Sequence, residues 1–436
     1  MYDCVIVGGG VHGTYCCQRL LEDTALERED LLLVDPHDQL LASFRRKAAA
    51  CGMDELRSTF VQHVGTEPFG LESFAESRGR EGELRPTPGY PPRPTLSLFL
   101  DFADYAIERK GLADRHRRAA VESIRRSTEG DGSLVLETDA GDGDGAEDGD
   151  ETGNGDSSGG RIRTRSCVLA IGHGGRYRYP PWADGVDAIT HVWDGFDPGR
   201  RAEETVVVGG GITAVQLATA LAEREPVTLC PRDDIAEATI EADPRWINWN
   251  HIEKHLHRYP PGSRVRFETV REARNDGTVP PRLLERLESA VDDGDLVVRT
   301  GDVRSAREID DRVRLLLENG GCCSAERVVL ATGFAPVFEH PFVERVAASL
   351  DLARGYRGMP ILDDETLAWR DATGDETPLF VTGALAAGTV GPLAGNVAGA
   401  RPTGSHARSR RADRPFRLDT CGYPRTCITN PSRKRF

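Results

Sequence analysis

Residues 2–21, YDCVIVGGGVHGTYCCQRLL, limit what the chain can fold into more than any other stretch. A run of strand-forming residues meets three glycines and then an apolar-patterned helix. Gly8, Gly10 and Gly13 stand at GxGxxG spacing. The first glycine makes a tight turn, the second lets a pyrophosphate reach the backbone, and the third lets helix and strand pack closely. Negative phosphate is then held by free N–H groups at the start of the helix. The following strand, LLLVD, ends in Asp35, 27 positions after Gly8. A carboxylate there suits both hydroxyls of an adenine-linked ribose.

A second copy lies at residues 204–223, ETVVVGGGITAVQLATALAE, where Gly209, Gly211 and Ala214 make GxGxxA. Its next strand, PVTLC, ends in Cys230 where the first copy has Asp35, and Pro231 and Arg232 follow. A guanidinium suits a 2′-phosphate, so Arg232 predicts NADPH rather than NADH. Two more strand-to-glycine segments, SCVLAIGHGG (166–175) and RVVLATGFAPV (327–337), read as the returning strand of each unit. Thr332 and Gly333 in the second count among the cofactor-binding residues. The expected fold is α/β, with two nested Rossmann-like dinucleotide-binding domains of three layers. The first takes residues 1–198 and 326–405, the second residues 199–325, and residues 406–436 form an atypical basic tail.

Composition narrows the function classes. The 436 residues carry a net charge of −15, and residues 401–436 alone hold 10 basic against 2 acidic side chains, so the body is more acidic still. Such a surface argues against nucleic acid or anionic lipid as a partner. Only four residues are lysine, Lys47, Lys110, Lys254 and Lys434, a pattern that fits a salt-loaded, halophilic cytoplasm. Ten scattered cysteines and a start without a basic leader point to reduced thiols in the cytoplasm. Residues 139–160 carry eight carboxylates and almost nothing apolar, and read as a disordered acidic loop. Residues 379–400 are free of formal charge, but their glycines and proline favour a buried loop and short helix over a membrane span.

With these motifs in place, the chain resembles the two-dinucleotide-domain FAD/NAD(P)-binding flavoproteins, and most closely the flavin-dependent N-hydroxylating monooxygenases, the lysine/ornithine N-monooxygenase family. The likeness rests on GGGVHG, MDELRS (53–58), GGGITA, NDGTVPPRLLERL (275–287), VVLATGF and TGALAAGTVGPLAGNVAGAR (382–401). It implies FAD at Gly8, Gly10, Gly13 and Asp35, with the flavin ring near Leu56, Arg57 and Ser58. It places Gly391, Pro392 and Asn396 at a helix N-terminus on the flavin's pyrimidine side, and makes Asn275 the catalytic candidate beside the nicotinamide and an amine. The implied reaction passes electrons from NADPH to FAD, forms a C4a-hydroperoxyflavin from oxygen, and hydroxylates a small-molecule amine.

Two rival readings stay open at this stage. The FxGxxxHxxxW signature of related monooxygenases is met only in part by GVDAITHVWDGF (185–196), where His191 is in place and Trp193 comes early. A flavin reductase passing electrons to a small acceptor or a protein is therefore an alternative, as is a non-enzymatic nucleotide sensor. A dithiol reductase lacks support, since neither CxxC nor CxxxxC occurs. His251 and His255 share a helix face but have no third ligand, so no metal is expected. The stretch around them, with Trp246 and Trp249, reads as a lid within the second domain.

Overall fold

The computed structural model describes residues 1–139 and 160–400; the acidic loop and the basic tail lie outside the described residues. Two parallel sheets organise the chain. In the first, the strands run in the spatial order His116–Arg118, Leu31–Asp35, Tyr2–Val7, Arg161–Leu169, Glu376–Val381 and Ala368–Arg370. All neighbours on this path are parallel except the last pair. The order is that of a doubly wound dinucleotide-binding sheet, with the glycine turn at its switch point. Arg161–Leu169 is long enough to serve twice, since its first half also pairs antiparallel with Leu134–Thr138.

The second sheet is wholly parallel, in the order Leu296–Val298, Val227–Cys230, Thr205–Val208, Arg327–Leu330 and Ile189–His191. Its last two strands correct the domain limits drawn above. Ile189–His191 lies before residue 199 and Arg327–Leu330 after residue 326, yet both belong to the second sheet. Val328, Val329 and Leu330 register on Ile189, Thr190 and His191. Backbone pairing decides the boundary, and it widens the second unit at both ends.

Alternation along the central strands explains the layers. Val5 and Val7 enter one core while Cys4 and Ile6 enter another on the opposite face. In the second sheet Val207 packs under the helices Ile212–Ala222 and Pro281–Asp292, through Val215, Leu217, Leu283 and Leu287. Val206 and Val208 instead face a three-stranded antiparallel sheet, through Val303, Val313 and Leu315. Each such side chain, fully buried, contributes about 1.5–3 kcal/mol, so neither sheet can lose a covering layer.

A smaller helical layer belongs to the first domain. The helix Leu96–Lys110 starts at Thr95, whose hydroxyl accepts from the Leu98 N–H, and ends at Gly111 with φ +60°. It carries Leu98, Phe99 and Phe102 against Leu56, Phe60 and Leu71. The short helix Ala42–Ala50 is wedged against the second domain, with Ala50 and Cys51 in the core of the helix Ile212–Ala222. The uncharged stretch near residue 390 forms short helices, Gly383–Ala386 and Ala387–Val390, then a turn. Among the described residues no helix is long and apolar enough to cross a membrane.

Candidate functional site at the two glycine turns

At the first turn each glycine has a separate reason. Gly8 has φ +111°, and a methyl group placed on it would lie 2.4 Å from the Ala170 carbonyl oxygen. A methyl on Gly13 would lie 1.8 Å from the Gly8 carbonyl oxygen, so helix and turn touch there. A methyl on Gly10 would meet nothing within 4 Å. Gly10 also caps the helix Val11–Asp23 without any side-chain hydrogen bond. The first-turn N–H groups therefore point into open space, which is the cradle an anionic pyrophosphate requires.

Asp35 closes this site. Its Oδ2 accepts from the Gly9 N–H at 2.6 Å, and its Oδ1 accepts from the His37 N–H at 2.9 Å and lies 2.6 Å from His37 Nδ1. The carboxylate is thereby held at the rim of the turn with one lone pair, on Oδ2, left to accept from a ligand hydroxyl.

The second turn repeats the plan with one change. Gly209 has φ +148°, and a methyl on it would lie 2.6 Å from the Ala331 carbonyl oxygen, as Gly8 stands to Ala170. Ala214 packs beneath it, fully buried. Gly211 caps the helix without a side-chain bond, and the backbone of Gly277 lies 3.6 Å from where its methyl would be. Register corrects the alignment of the two copies by one residue. Val208 pairs with Cys230 as Val7 pairs with Val34, so Pro231 stands where Asp35 does. Methyl groups on Gly9 and Gly210 would each meet that residue's Cβ at 3.1 Å. No carboxylate occupies the position, and Arg232 comes next, its side chain 72 % exposed and, among the described residues, ion-paired with the adjacent Asp233 alone.

Between the turns runs a network that connects both domains. His12 Nε2 lies 2.9 Å from the Asn396 carbonyl oxygen, and His12 Nδ1 lies 3.0 Å from Thr382 Oγ1. Burial pushes His12 down to about 4, so the ring is neutral. The carbonyl can only accept, which assigns the proton to Nε2 and makes Thr382 the donor to Nδ1. Asn396 Oδ1 in turn accepts from Arg274 Nη1 at 2.9 Å, and its Nδ2 donates to Glu241 Oε1 at 3.0 Å. Arg274 also donates to the Pro392 carbonyl at 2.6 Å. Asn275 follows: its N–H donates to the Glu241 carbonyl at 2.8 Å and its Nδ2 to the Ile240 carbonyl at 3.0 Å.

The sequence-predicted residues thus divide. Gly8, Gly10, Gly13 and Asp35 form one cradle, and Gly209, Gly211, Ala214 and Arg232 form or flank the other. Pro392, Asn396 and Asn275 lie along the network that joins them. Leu56 and Ser58 are buried, Leu56 in the cluster under the helix Leu96–Lys110 rather than on the network. Arg57 has another use: its guanidinium donates to the carbonyls of Ala238 (2.6 Å), Ile240 (3.1 Å) and Thr278 (3.2 Å) and to Thr278 Oγ1 (2.8 Å). It straps the loops of the second domain, beside Arg93, which binds the Thr239 carbonyl. Thr332 and Gly333 sit in the returning crossover, where Thr332 Oγ1 donates to the Arg178 carbonyl and Gly333 has φ +80°. Gly391, at φ +95°, backs onto the Trp246 ring, at 3.2 Å from a methyl placed there. Trp246 shares a buried cluster with Leu393 and Ala398, so the expected lid segment packs on the closing segment. Asn396 caps a helical turn at Val397–Gly399; its continuation past residue 400 is outside the described residues.

His12, Thr382, Arg274 and Glu241 were missed by sequence reasoning. His12 lies inside the glycine motif and could have been flagged as a polar side chain aimed out of the turn. The others have no local signal. A thiol pair also went unseen: Cys230 Sγ and Cys323 Sγ lie 3.3 Å apart, at 1 % and 6 % exposure, in the core facing the antiparallel sheet. Among the described residues no group of three or more metal-ligating side chains gathers.

Residues 5–174 match the sequence profile of a family described as FAD-NAD(P)-binding. No curated protein sequence matches the chain. Among solved structures the chain is similar to an ornithine N-hydroxylase from Kutzneria sp. 744, at TM-score 0.71 and 16 % identity, covering 93 % of this chain and 97 % of that one. That enzyme is seen with reduced FAD, NADP+ and L-ornithine. A cadaverine monooxygenase from Erwinia amylovora bound to FAD aligns over 100 % of both chains at TM-score 0.69 and 13 % identity. A bacillithiol disulfide reductase from Bacillus cereus aligns less closely, at TM-score 0.55 and 15 % identity over 93 % and 96 % of the two chains. The chain therefore has the α/β fold with two dinucleotide-binding sheets that these flavoproteins share.

Proposed function

We propose that the chain is an FAD- and NADPH-dependent monooxygenase that hydroxylates a small-molecule amine with oxygen. The observation that carries this reading is the network from His12 in the first glycine turn to Asn275 beside the second, which ties the two turns together. When bound, FAD supplies hydride acceptance from NADPH and activation of dioxygen for transfer of one oxygen atom to nitrogen.

The residues have distinct tasks in this reading. The free N–H groups after Gly10 hold the FAD pyrophosphate, and Asp35 accepts from the adenine ribose. Those after Gly211 hold the NADPH pyrophosphate, and the exposed Arg232 guanidinium reaches the 2′-phosphate. Neutral His12 places no charge in the turn; through its bond to the Asn396 carbonyl it fixes the closing segment. Trp246, packed on Gly391, excludes water from the closing segment. Asn275 Oδ1 accepts no hydrogen bond among the described residues and is available to the substrate's N–H.

The Cys230–Cys323 pair and the bacillithiol reductase likeness favour a second reading, a thiol-linked reductase. The pair is sealed on the far side of the second sheet from the helix Ile212–Ala222, which meets the first domain. Hydride from a nucleotide in the cleft would have to cross the sheet to reach it, so this pair supports the reductase poorly.

Anaerobic mixing with NADPH tests the cofactor half of the proposal. The flavin should bleach, and faster than with an equal concentration of NADH. Bleaching by neither nucleotide would end the reading.

A further inference from the structure

The two crossovers between the domains run side by side. Residues 176–178 leave the first domain and residues 332–335 return to it, joined by hydrogen bonds from the Arg178 N–H to the Gly333 carbonyl (3.0 Å) and from the Ala335 N–H to the Arg176 carbonyl (3.1 Å). Each crossover contributes one ring, Tyr177 and Phe334, to a stacked cluster that also takes in His173, His191 and Trp193. Trp193 stacks on Phe334 at 4.7 Å between centroids, Tyr177 on His191 at 4.8 Å, and His173 on Phe334 at 4.0 Å.

Into this cluster projects one of the chain's four lysines. Lys47, on the wedge helix Ala42–Ala50, places Nζ at 5.2 Å from the Phe334 ring centroid, 5.7 Å from Tyr177 and 5.9 Å from Trp193. Its carbonyl oxygen also accepts from Trp193 Nε1 at 3.2 Å. Among the described residues no carboxylate pairs with it, and burial, with the neighbouring Arg46 charge, pushes it down to about 8, so the ring faces offset its desolvation only in part. Burial holds the His173 and His191 rings down at about 4, so neither adds a competing charge to the cage. The helix that bears Lys47 also touches the second domain, where Cys51 Sγ lies 3.7 Å from Gln216 Oε1 on the helix after the second glycine turn.

We propose that Lys47 is a positioning residue: its ammonium, caged by Tyr177, Trp193 and Phe334, pins both crossovers to the wedge helix and so sets the reach from the second nucleotide turn to the first. This rests on the monooxygenase reading for its kinetic consequence, because hydride transfer needs the two cofactors within contact distance and alignment. The three caging rings belong to neither glycine turn, so each turn keeps its own contacts in a Lys47 variant while their mutual placement is altered.

The test uses Lys47→Met, which keeps the stem and removes the charge, and Lys47→Arg, which keeps a cation over the rings. In Lys47→Met the flavin-reduction rate at saturating NADPH should fall about tenfold or more, as expected for a small misplacement of reacting atoms. FAD content and the NADPH dissociation constant should stay within about twofold, and Lys47→Arg should recover most of the rate. A Lys47→Met rate equal to wild type overturns the proposal. So does an equal loss in Lys47→Arg, which would signal packing rather than charge. A second readout is independent of cofactor chemistry: amide hydrogen exchange at Arg178 and Ala335 should quicken in Lys47→Met and not in Lys47→Arg. If the wild-type flavin is not reduced by NADPH, the monooxygenase reading fails, and exchange alone then decides whether Lys47 pins the crossovers, with unchanged exchange refuting it.

Discussion

Arg274 and Asn396 stand 122 positions apart in the chain and are joined by a 2.9 Å hydrogen bond from Nη1 to Oδ1. Arg274 thereby holds the closing segment of the first domain to a loop of the second, with a further bond to the Pro392 carbonyl. Replacing it with methionine removes charge-assisted bonds worth about 1.5–3 kcal/mol each and leaves Asp276 without the guanidinium it pairs with at 2.7 Å. The expected outcome is a protein that still binds FAD but hydroxylates amine at least about tenfold more slowly. Unchanged turnover in Arg274→Met would show that the network is only scaffolding.

The two glycines of the first turn should fail in opposite ways. Gly13→Ala drives a methyl group into the Gly8 carbonyl, a backbone atom that cannot step aside, so the fold itself should be lost or strongly destabilised. Gly10→Ala meets nothing and should fold with a melting temperature close to wild type. Its methyl group would instead occupy the approach to the helix N-terminus, and the purified protein should carry little flavin. Melting temperature and the FAD-to-protein ratio, measured on both variants, separate the two effects.

Acid should destabilise the flavin-free protein earlier than its carboxylates would. Burial lowers His12, His173 and His191 from 6.5 to about 4 each. Between those values the unfolded chain binds protons that the native rings refuse, so stability rises with pH across the window. The contribution is therefore whole above pH 6.5 and is lost as pH falls towards 4. Denaturant midpoints should drop through this range, and replacing His173 with glutamine should flatten the slope. A midpoint independent of pH from 6.5 to 4.5 would contradict the burial of these rings.

Arg232 decides the nucleotide if the second cradle is read correctly. Arg232→Ala should raise the KM for NADPH about tenfold or more and leave that for NADH nearly unchanged, since only the former carries the 2′-phosphate. Equal changes for both would move the 2′-phosphate contact elsewhere.

Much of the fold was legible because its requirements are local. The left-handed φ of Gly8, the open space at Gly10 and the close approach at Gly13 each demand glycine at one position, and the strand and helix patterns on either side complete the unit. Both cradles could be found that way. The placement of Cys230 opposite Asp35 was one residue off, because strand ends are set by pairing with Val208 rather than by composition. The same cause misplaced the domain limits at Ile189–His191 and Arg327–Leu330. Arg57 was legible as part of a motif but not in its task, since its acceptors come from residues 238–240 and 278. His12 with Thr382, Arg274 with Asn396, and Cys230 with Cys323 are contacts between distant segments of the chain. No periodicity announces them; only the fold brings them together.

The most direct measurement supplies the purified protein with FAD, NADPH, isotope-labelled oxygen gas and a panel of diamines and basic amino acids, and analyses the amines by mass. One labelled oxygen atom on the nitrogen of an amine, formed with NADPH consumption that the amine accelerates, is the predicted result. NADPH consumption that yields only hydrogen peroxide, whatever amine is present, would contradict the account.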